Sequence, residues 1–594
     1  MSDVRTKIEQ ARSLLQAGKA EQARLMGVRL LKSDPADPRV ADLMAQIFIH
    51  LRQSEQALNY ARRATELAPG NLGFMHNQGV TLLTLQRADE AAAILGAILE
   101  KDPRQISSRL AFLSALLQQR RHARIIQVCD EGRRLHPGNP VFEGVRASAL
   151  LSQGLADESY EALRSMLAHN AQEPGLRNTL AQTSNYVPGL TPAQVFAEHQ
   201  AYGDLLERLW PAPRRTFTNP RDPEKRLRVG ILSPDLRTHS VAFFIEPFVQ
   251  GHDRAGFELI AYQTNRTEDA VTARLRKGFA AWHDCSALGD AALLERMLAD
   301  KLDVLIELSG QMQAHRLPVM HMRAAPVQAT YIGYPNTTGV HTMDARFVDS
   351  ITDPAGRADA CATERLVRLD PCFLCYRPPA DAPKPAMPRG DGPVTFGSFN
   401  ALQKINPPLV RLWARVLNAV PGSVLLLKSW NLADRGSWAE FTRRFTDAGI
   451  DETRLQLCEP IAGIAEHLAA YNRVDVALDT FPYHGTTTTC EALWMGVPVV
   501  TLAGDRHASR VGASLLHAAG LPELVAKDEE AYVYIATSLA GDATRRAHLR
   551  ATLRDDLRAG PLCDETSYCR RLENALRGLW SEWCQTQTIA RPHA

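Results

Sequence analysis

The sequence predicts an α-helical repeat superhelix followed by two doubly wound α/β domains. Three observations carry that expectation. The first third has a 34-residue period, the mark of stacked helix pairs. From about residue 226 onward, short apolar runs alternate with helical stretches in two series, the pattern of parallel sheets flanked by helices. Proline-rich polar segments separate these regions, as domain connectors do.

Length and composition set the limits. A chain of 594 residues is too long for one core and implies three or four domains of ~150 residues. Its 45% apolar and 23% charged residues are ordinary for a globular protein. The net charge of +2 gives no electrostatic case for nucleic acid or a membrane surface as a partner. The opening MSDVRTKIEQARSLLQ carries charges throughout, unlike a signal peptide, and no window has the ~18 apolar residues of a membrane span. A cytoplasmic protein is therefore expected. Only Cys372 and Cys375 of the ten cysteines form a Cys-x-x-Cys pair. With no second pair to complete a tetrahedral site, they are read as reduced thiols in a strand, and no metal site is expected.

Residues 1–180 are assigned to the repeats. Pro35, Pro69, Pro103 and Pro137 stand 34 residues apart, and Ala23, Ala57 and Ala91 precede the first three by twelve. Small residues let paired helices approach, and proline ends the second helix of each pair. This is the tetratricopeptide pattern. In the fourth repeat Ile125 replaces the alanine, and a degenerate fifth runs to about Pro174. Such stacks leave a concave surface suited to a protein partner, although a purely structural or dimerising stack fits the pattern too, so a homo-oligomer stays open.

Residues 181–225 form a connector, with proline-rich segments around a helical AEHQAYGDLLERL. The first α/β domain, 226–385, offers strands in LRVGILSPDL, FELIAYQ, LDVLIELSG, VQATYIGYP and ARFVDSI. The second, 386–594, offers VTFGSFN, SVLLLKSWN, RLQLCEP, VDVALDTF and PVVTLAG, followed by terminal helices. Two such domains make a cleft, with ligands bound beyond the strand C-termini. No Gly-x-Gly-x-x-Gly follows the first strand, which removes the main support for a dehydrogenase.

Four threonines, Thr486 to Thr489, stand between the strand in VDVALDTF and a helix expected to begin near Cys490. Threonine is a poor helix former, so propensity does not select this run. At a helix N-terminus, however, hydroxyls and unpaired N–H groups favour a phosphate. Thr487 and Thr488 are the candidates for a diphosphate, and Glu491, one turn on, for sugar hydroxyls. Capping of the helix by one threonine is the structural alternative.

The stretches LRVGILSPDLRTHSVAFF, RAAPVQATYIGYPNTTG, FGSFNALQKINPPLVRLWARVLNAVPGSVLLL and DVALDTFPYHGTTTTCEALWMGVPVVTLAG resemble, in the same order, the catalytic region of glycosyltransferase family 41. That family holds the O-GlcNAc transferases and their bacterial and plant SPINDLY-like relatives. The resemblance covers roughly residues 226 to 575 and implies a GT-B fold of two facing Rossmann-like domains, with the nucleotide sugar held mainly by the second. It implies a metal-independent enzyme, in keeping with the lack of an Asp-x-Asp motif, and no cofactor beyond the donor substrate, with a UDP-linked sugar expected.

By the same resemblance Lys404, in FNALQKINP, stabilises the leaving diphosphate, and His239, in SPDLRTHSVAFF, projects into the cleft as base or positioning group. His467, in GIAEHLAAYN, sits near the nucleotide. The chain departs from the animal enzymes at Ala401, Ile464 and Ala470, where polar residues meet the nucleotide, so a donor other than UDP-GlcNAc is an alternative. At position 6 of the repeats, where relatives place asparagines, only Asn77 is one; Leu43 and Ala111 take the equivalent places. The implied function is an inverting protein O-glycosyltransferase acting on Ser or Thr of a protein recruited by the repeats. Flagellin or another surface protein is an alternative acceptor, and a non-catalytic adaptor that binds a nucleotide sugar is the competing class.

Overall fold

The structure is a computed structural model that describes residues 2–386 and 392–586. Part of the expected interdomain segment, 387–391, and the end of the expected last domain, 587–594, lie outside those residues. By contacts the chain divides into two compact units. One comprises residues 1–153 with 433–440, and the other 154–432 with 441–594.

The first unit is built of antiparallel helix pairs, among them Pro38–His50 with Ser54–Leu67 and Leu72–Thr84 with Ala88–Lys101. The periodic alanines lie in its core: Ala23, Ala57 and Ala91 are fully buried, and so is the variant Ile125. Gly79 meets the same demand, because a Cβ there would lie 2.7 Å from Leu95 Cγ. A second period is written in the backbone. Gly18, Arg52, Gln86, Arg120 and Gly154 all have positive φ, between 56° and 75°, and each turns the chain from one helix of a pair to the next. Asn77 donates to Oδ1 of buried Asp42 at 2.6 Å, while Gln46 and Arg12 bond the other carboxylate oxygen. The expected fifth repeat, Pro140–Ser152 and Ala156–His169, is divided: its first helix belongs to the first unit and its second to the second.

The second unit holds two parallel sheets. The first comprises β1 (Leu227–Ser233), β2 (Phe257–Gln263), β3 (Ala281–Asp284), β4 (Val304–Glu307), β5 (Val327–Thr330), β6 (Ala345–Val348) and β7 (Arg365–Arg368), in the order β3-β2-β1-β4-β5-β6-β7. The second comprises β8 (Thr395–Ser398), β9 (Val424–Lys428), β10 (Leu455–Cys458), β11 (Val476–Leu478), β12 (Val499–Leu502) and β13 (Val525–Ala526), in the order β10-β9-β8-β11-β12-β13. Both have the doubly wound order, so each has a crevice where the winding reverses, between β1 and β4 and between β8 and β11.

Every strand expected from the sequence is present, and three more, β3, β7 and β13, lie at sheet edges. Edge strands need only one apolar face, and AWHD and RLVR are partly exposed, so they lack the continuous apolar run that marks a central strand. Cys372 and Cys375 are buried in an irregular segment after β7, not in a strand; burial pushes the Cys372 thiol up to about 12. The terminal helix Glu565–Thr586 returns to the first sheet rather than to the second, with Tyr568 and Tyr331 sharing a 2.8 Å hydrogen bond. Among the described residues no helix is long and apolar enough to cross a membrane.

Candidate active site

The crevice between β8 and β11 gathers most of the candidate residues. The chain leaving β8 passes Asn400, makes a single 3-10 turn at Leu402–Lys404, and enters the helix Pro407–Ala419. Asn406 fixes this segment twice. Its Oδ1 caps the helix by accepting from Leu409 N–H at 3.0 Å, and its Nδ2 donates to the Phe481 carbonyl at 2.7 Å. The cap of one loop thus pins the loop that follows β11.

That second loop is organised by Asp479, which is buried. Its Oδ1 accepts from the N–H groups of Thr480 and Gly485, and its Oδ2 from Thr501 Oγ1 at 2.7 Å. Tyr532, oriented by the indole N–H of Trp413, donates to the Asp479 carbonyl at 3.0 Å. His484 is also buried: its Nε2–H donates to the Leu502 carbonyl while Nδ1 accepts from Gly512 N–H. Burial lowers its pKa, against the pull of Asp479, so the ring is neutral. Gly485 has no room for a side chain, because a Cβ would lie 2.3 Å from Thr488 Oγ1 and 2.9 Å from Asn400 Oδ1.

The helix after this turn is Thr487–Trp494, one turn earlier than propensity suggested, with Thr486 at the N-cap and no side chain capping it. The threonines divide by position. Thr489 is buried and its hydroxyl bonds back to the Gly485 carbonyl at 3.1 Å, which makes it part of the helix. Thr488 donates to Asn400 Oδ1 at 3.0 Å and keeps its lone pairs. The Thr487 hydroxyl, half-buried in the first helical position, has no partner among the described residues. Uncapped helical N–H groups together with these hydroxyls form an anion-accepting end.

Lys404 faces the same turn. Its Nζ donates to the His484 carbonyl at 2.7 Å and sits 4.3 Å from the centroid of the Tyr483 ring. Burial pushes the ammonium down to about 8, and Asp479 works in the opposite direction. A cation already stripped of part of its water interacts strongly with an incoming anion.

Behind the helix runs a chain that begins at a residue the sequence did not single out. Lys428, the last residue of β9, donates to His467 Nδ1 at 2.5 Å, and His467 Nε2–H donates to Glu491 Oε2 at 2.9 Å. Tyr471 donates to the same carboxylate oxygen at 3.3 Å. Burial pushes the Lys428 ammonium down to about 8, with Glu491 opposing. His467 therefore acts on Glu491 directly, and Oε1 of Glu491 accepts no bond from the described residues. An isolated lysine in LLLKSW carries no sequence signal; only its place at a strand C-terminus, beside the crevice, marks it.

His239 lies in the other sheet, after β1, at the N-cap of the helix Ser240–Gly251. Nδ1 accepts from Val241 N–H at 3.3 Å, so the proton of the neutral ring is at Nε2. Burial lowers the pKa and Asp235 raises it less. A ring in this state offers the cleft a hydrogen-bond donor. It lines a cavity of about 400 Å³ with Phe243 and Arg377 and, from the second sheet's side, Ile464. Lys404, Thr487, Thr488, His467 and Glu491 thus share one crevice, and His239 lies across the cleft from the segment that carries His467. Of the three departures, Ala401 and Ile464 are exposed and Ala470 is buried.

Residues 205–375 and 386–572 match the model of the family described as glycosyl transferase family 41. The chain belongs to that family. It is 41% identical over 409 residues to the probable UDP-N-acetylglucosamine–peptide N-acetylglucosaminyltransferase SPINDLY of Arabidopsis thaliana, covering 68% of this chain and 44% of the relative. It is 25% identical over 480 residues to the UDP-N-acetylglucosamine–peptide N-acetylglucosaminyltransferase of Caenorhabditis elegans, covering 60% of this chain and 41% of the relative. The chain therefore spans less than half the length of these relatives. A solved mutant of the Thermobaculum terrenum O-GlcNAc transferase superposes with a TM-score of 0.70 at 30% identity, over 98% of both chains. As a family 41 chain it has the GT-B fold, preceded by tetratricopeptide-like helices.

Proposed function

We propose that this family 41 chain is an inverting, metal-independent protein O-glycosyltransferase that moves a sugar from a nucleotide-sugar donor to a Ser or Thr hydroxyl. The observation that carries the reading is the pairing of a partly desolvated lysine, Lys404, with an uncapped helix N-terminus at one end of the β8/β11 crevice. Both favour a diphosphate, and both gain strength as negative charge grows there. In the reaction the acceptor oxygen attacks the anomeric carbon from the face opposite the nucleotide. The glycosidic bond breaks, its electron pair leaves with the diphosphate, and the hydroxyl proton passes to a phosphate oxygen of the departing nucleotide or to solvent. Thr487, Thr488 and the helix N–H groups hold that leaving group, and Lys404 neutralises it. Glu491, oriented by His467, accepts from donor hydroxyls. His239, as a donor across the cleft, positions substrate; orientation of this kind is a large part of the rate enhancement in such transfers.

The relatives' printed names support UDP-N-acetylglucosamine as donor and a peptide as acceptor. The apolar Ile464 at the cavity wall favours testing other nucleotide sugars beside it, and flagellin belongs among the candidate acceptors. The repeats are the proposed acceptor-recruiting surface, and the cytoplasm the proposed location. The test is intact mass of candidate acceptor proteins after incubation with a panel of nucleotide sugars. A mass increase of one sugar residue, removable by β-elimination from Ser or Thr, is expected. Donor hydrolysis or nucleotide binding with no acceptor modified in any combination would favour the adaptor reading instead.

A further inference from the structure

A second cavity, of about 190 Å³, is lined by the segment after β6, the segment after β12 and the start of the helix Pro192–Leu209. It shares no lining residue with the cavity at His239 or with the pocket beneath Thr488. Four guanidinium groups line it, those of Arg346, Arg357, Arg506 and Arg510, against two carboxylates, Asp353 and Asp505. One of the two carboxylates is already committed. Asp353 takes a 2.5 Å contact from His507 Nδ1, and Arg346 Nη1 stands 3.8 Å away.

The cations are not there as surface charges. Arg346, in β6, is 4% exposed, and its Nη2 has no hydrogen-bond partner among the described residues. Arg506 is 8% exposed; its terminal nitrogens are used by the carbonyls of Leu190 and Val187, but its Nε is also unpartnered. Arg510 is held in place by the carbonyls of Ile351 and Gly504. Arg357 is exposed at the rim with no protein partner among the described residues. Buried guanidinium N–H groups without acceptors are costly, and a cluster of like charges more so. Those two unpartnered nitrogens are closed off from the cavity itself, so what a bound anion would offset is the clustered positive charge, and planar guanidinium forks fit the oxygens of phosphate or carboxylate.

We infer that this cavity is an anion site for a phosphate-sized oxyanion, taken either as the free ion or as the end group of a small phosphomonoester. Its walls come from loops of both sheets, so the anion links the two halves of the cleft by charge. Burial pushes the Arg506 guanidinium down to about 10, with Asp505 opposing. The site does not depend on the proposed transfer reaction.

The test is calorimetric titration of the full chain with inorganic phosphate and, separately, with glycerol phosphate. It is run with the donor crevice filled by saturating nucleoside diphosphate, and binding of that nucleotide is the independent readout of the crevice. One phosphate per chain is expected in the wild type. Arg357→Ala, which breaks no bond in the fold, should weaken it by about tenfold, the loss of one charge-assisted contact. Arg346→Met should abolish it, with nucleotide binding kept in both variants. Tighter binding of glycerol phosphate than of phosphate would identify the ester as the ligand class. No saturable binding of either anion, or binding unaltered by Arg357→Ala, would overturn the inference, and the Arg357 variant decides the matter even if Arg346→Met fails to fold.

Discussion

Lys404 Nζ donates a 2.7 Å hydrogen bond to the backbone carbonyl of His484, the residue before the turn that starts the threonine helix. This one bond joins the loop after β8 to the loop after β11 and puts a cation beside an uncapped helix. Because the lysine is held by a neutral carbonyl and not by a carboxylate, its charge stays available to a ligand. Lys404→Ala should therefore lower turnover about a hundredfold, ~3 kcal/mol for one lost electrostatic stabiliser, while the protein still folds. Turnover within threefold of wild type would exclude the role.

The fold was legible where one requirement dominates a stretch of sequence. Central strands such as LRVGILS and SVLLLK must be apolar on both faces, and the repeat alanines must be small. The edge strands β3, β7 and β13 answer to weaker demands and stay below that signal. The left-handed turn in each repeat is equally hidden, because Arg52, Gln86 and Arg120 hold a conformation that only Gly18 and Gly154 advertise. In the crevice, Lys404 and the threonines stand in recognisable motifs. Lys428 and the Asp479–Gly485 turn are defined by packing between distant strands, which no short window contains. Propensity also misplaced the helix start, since burial of Thr489 and its bond to Gly485 override the poor helix preference of threonine.

The depressed lysines set a pH dependence. With Lys404 at about 8 against 10.5 unfolded, the unfolded chain binds more protons between those values. Stability from this group therefore rises with pH across that window, while the charge needed by the diphosphate is lost. The kcat/KM for the donor, which reports the free enzyme, should fall above pH 8. Nucleoside diphosphate binding at pH 8.5, chosen roughly half a unit above that midpoint, should take up protons, measurable by calorimetry in buffers of different ionisation enthalpy. Lys428 titrates in the same range, so Lys404→Met and Lys428→Met must be compared. Uptake unchanged in Lys404→Met would assign the proton elsewhere.

The Lys428–His467–Glu491 chain predicts a second pattern. His467→Phe leaves the Lys428 ammonium without its acceptor and Glu491 with only the longer bond from Tyr471. Donor KM should rise several-fold, with the effect on nucleoside diphosphate alone smaller, because Glu491 is proposed to meet the sugar. Equal weakening of donor and nucleoside diphosphate would place His467 at the nucleotide only.

Removal of residues 1–153, the N-terminal segment of the first compact unit, should leave nucleoside diphosphate affinity near its original value, since every crevice residue lies beyond it. Modification of a folded protein acceptor should fall by an order of magnitude or more, as the loss of a recruiting surface implies. A short peptide acceptor should be affected less. Equal rates on the folded acceptor with and without the repeats would show that they do not recruit it.

The threonines allow the sharpest comparison, because valine keeps their shape and removes only the hydroxyl. Thr487 offers an unpartnered hydroxyl at the first helical position, and Thr488 one shared with Asn400. Replacing both should weaken nucleoside diphosphate binding by ~1.5 to 3 kcal/mol for each bond to the charged phosphate. The helical N–H groups survive, so binding should not vanish. Thr489 instead bonds the Gly485 carbonyl from a buried position, so Thr486→Val with Thr489→Val should reach the thermal midpoint, by ~1 kcal/mol of stability for the lost hydrogen bond, and leave the dissociation constant within about threefold. Affinity and stability should thus separate along four consecutive residues. Equal weakening of nucleotide binding by both pairs, or none by the Thr487/Thr488 pair, would refute the reading of this helix end as the phosphate cradle.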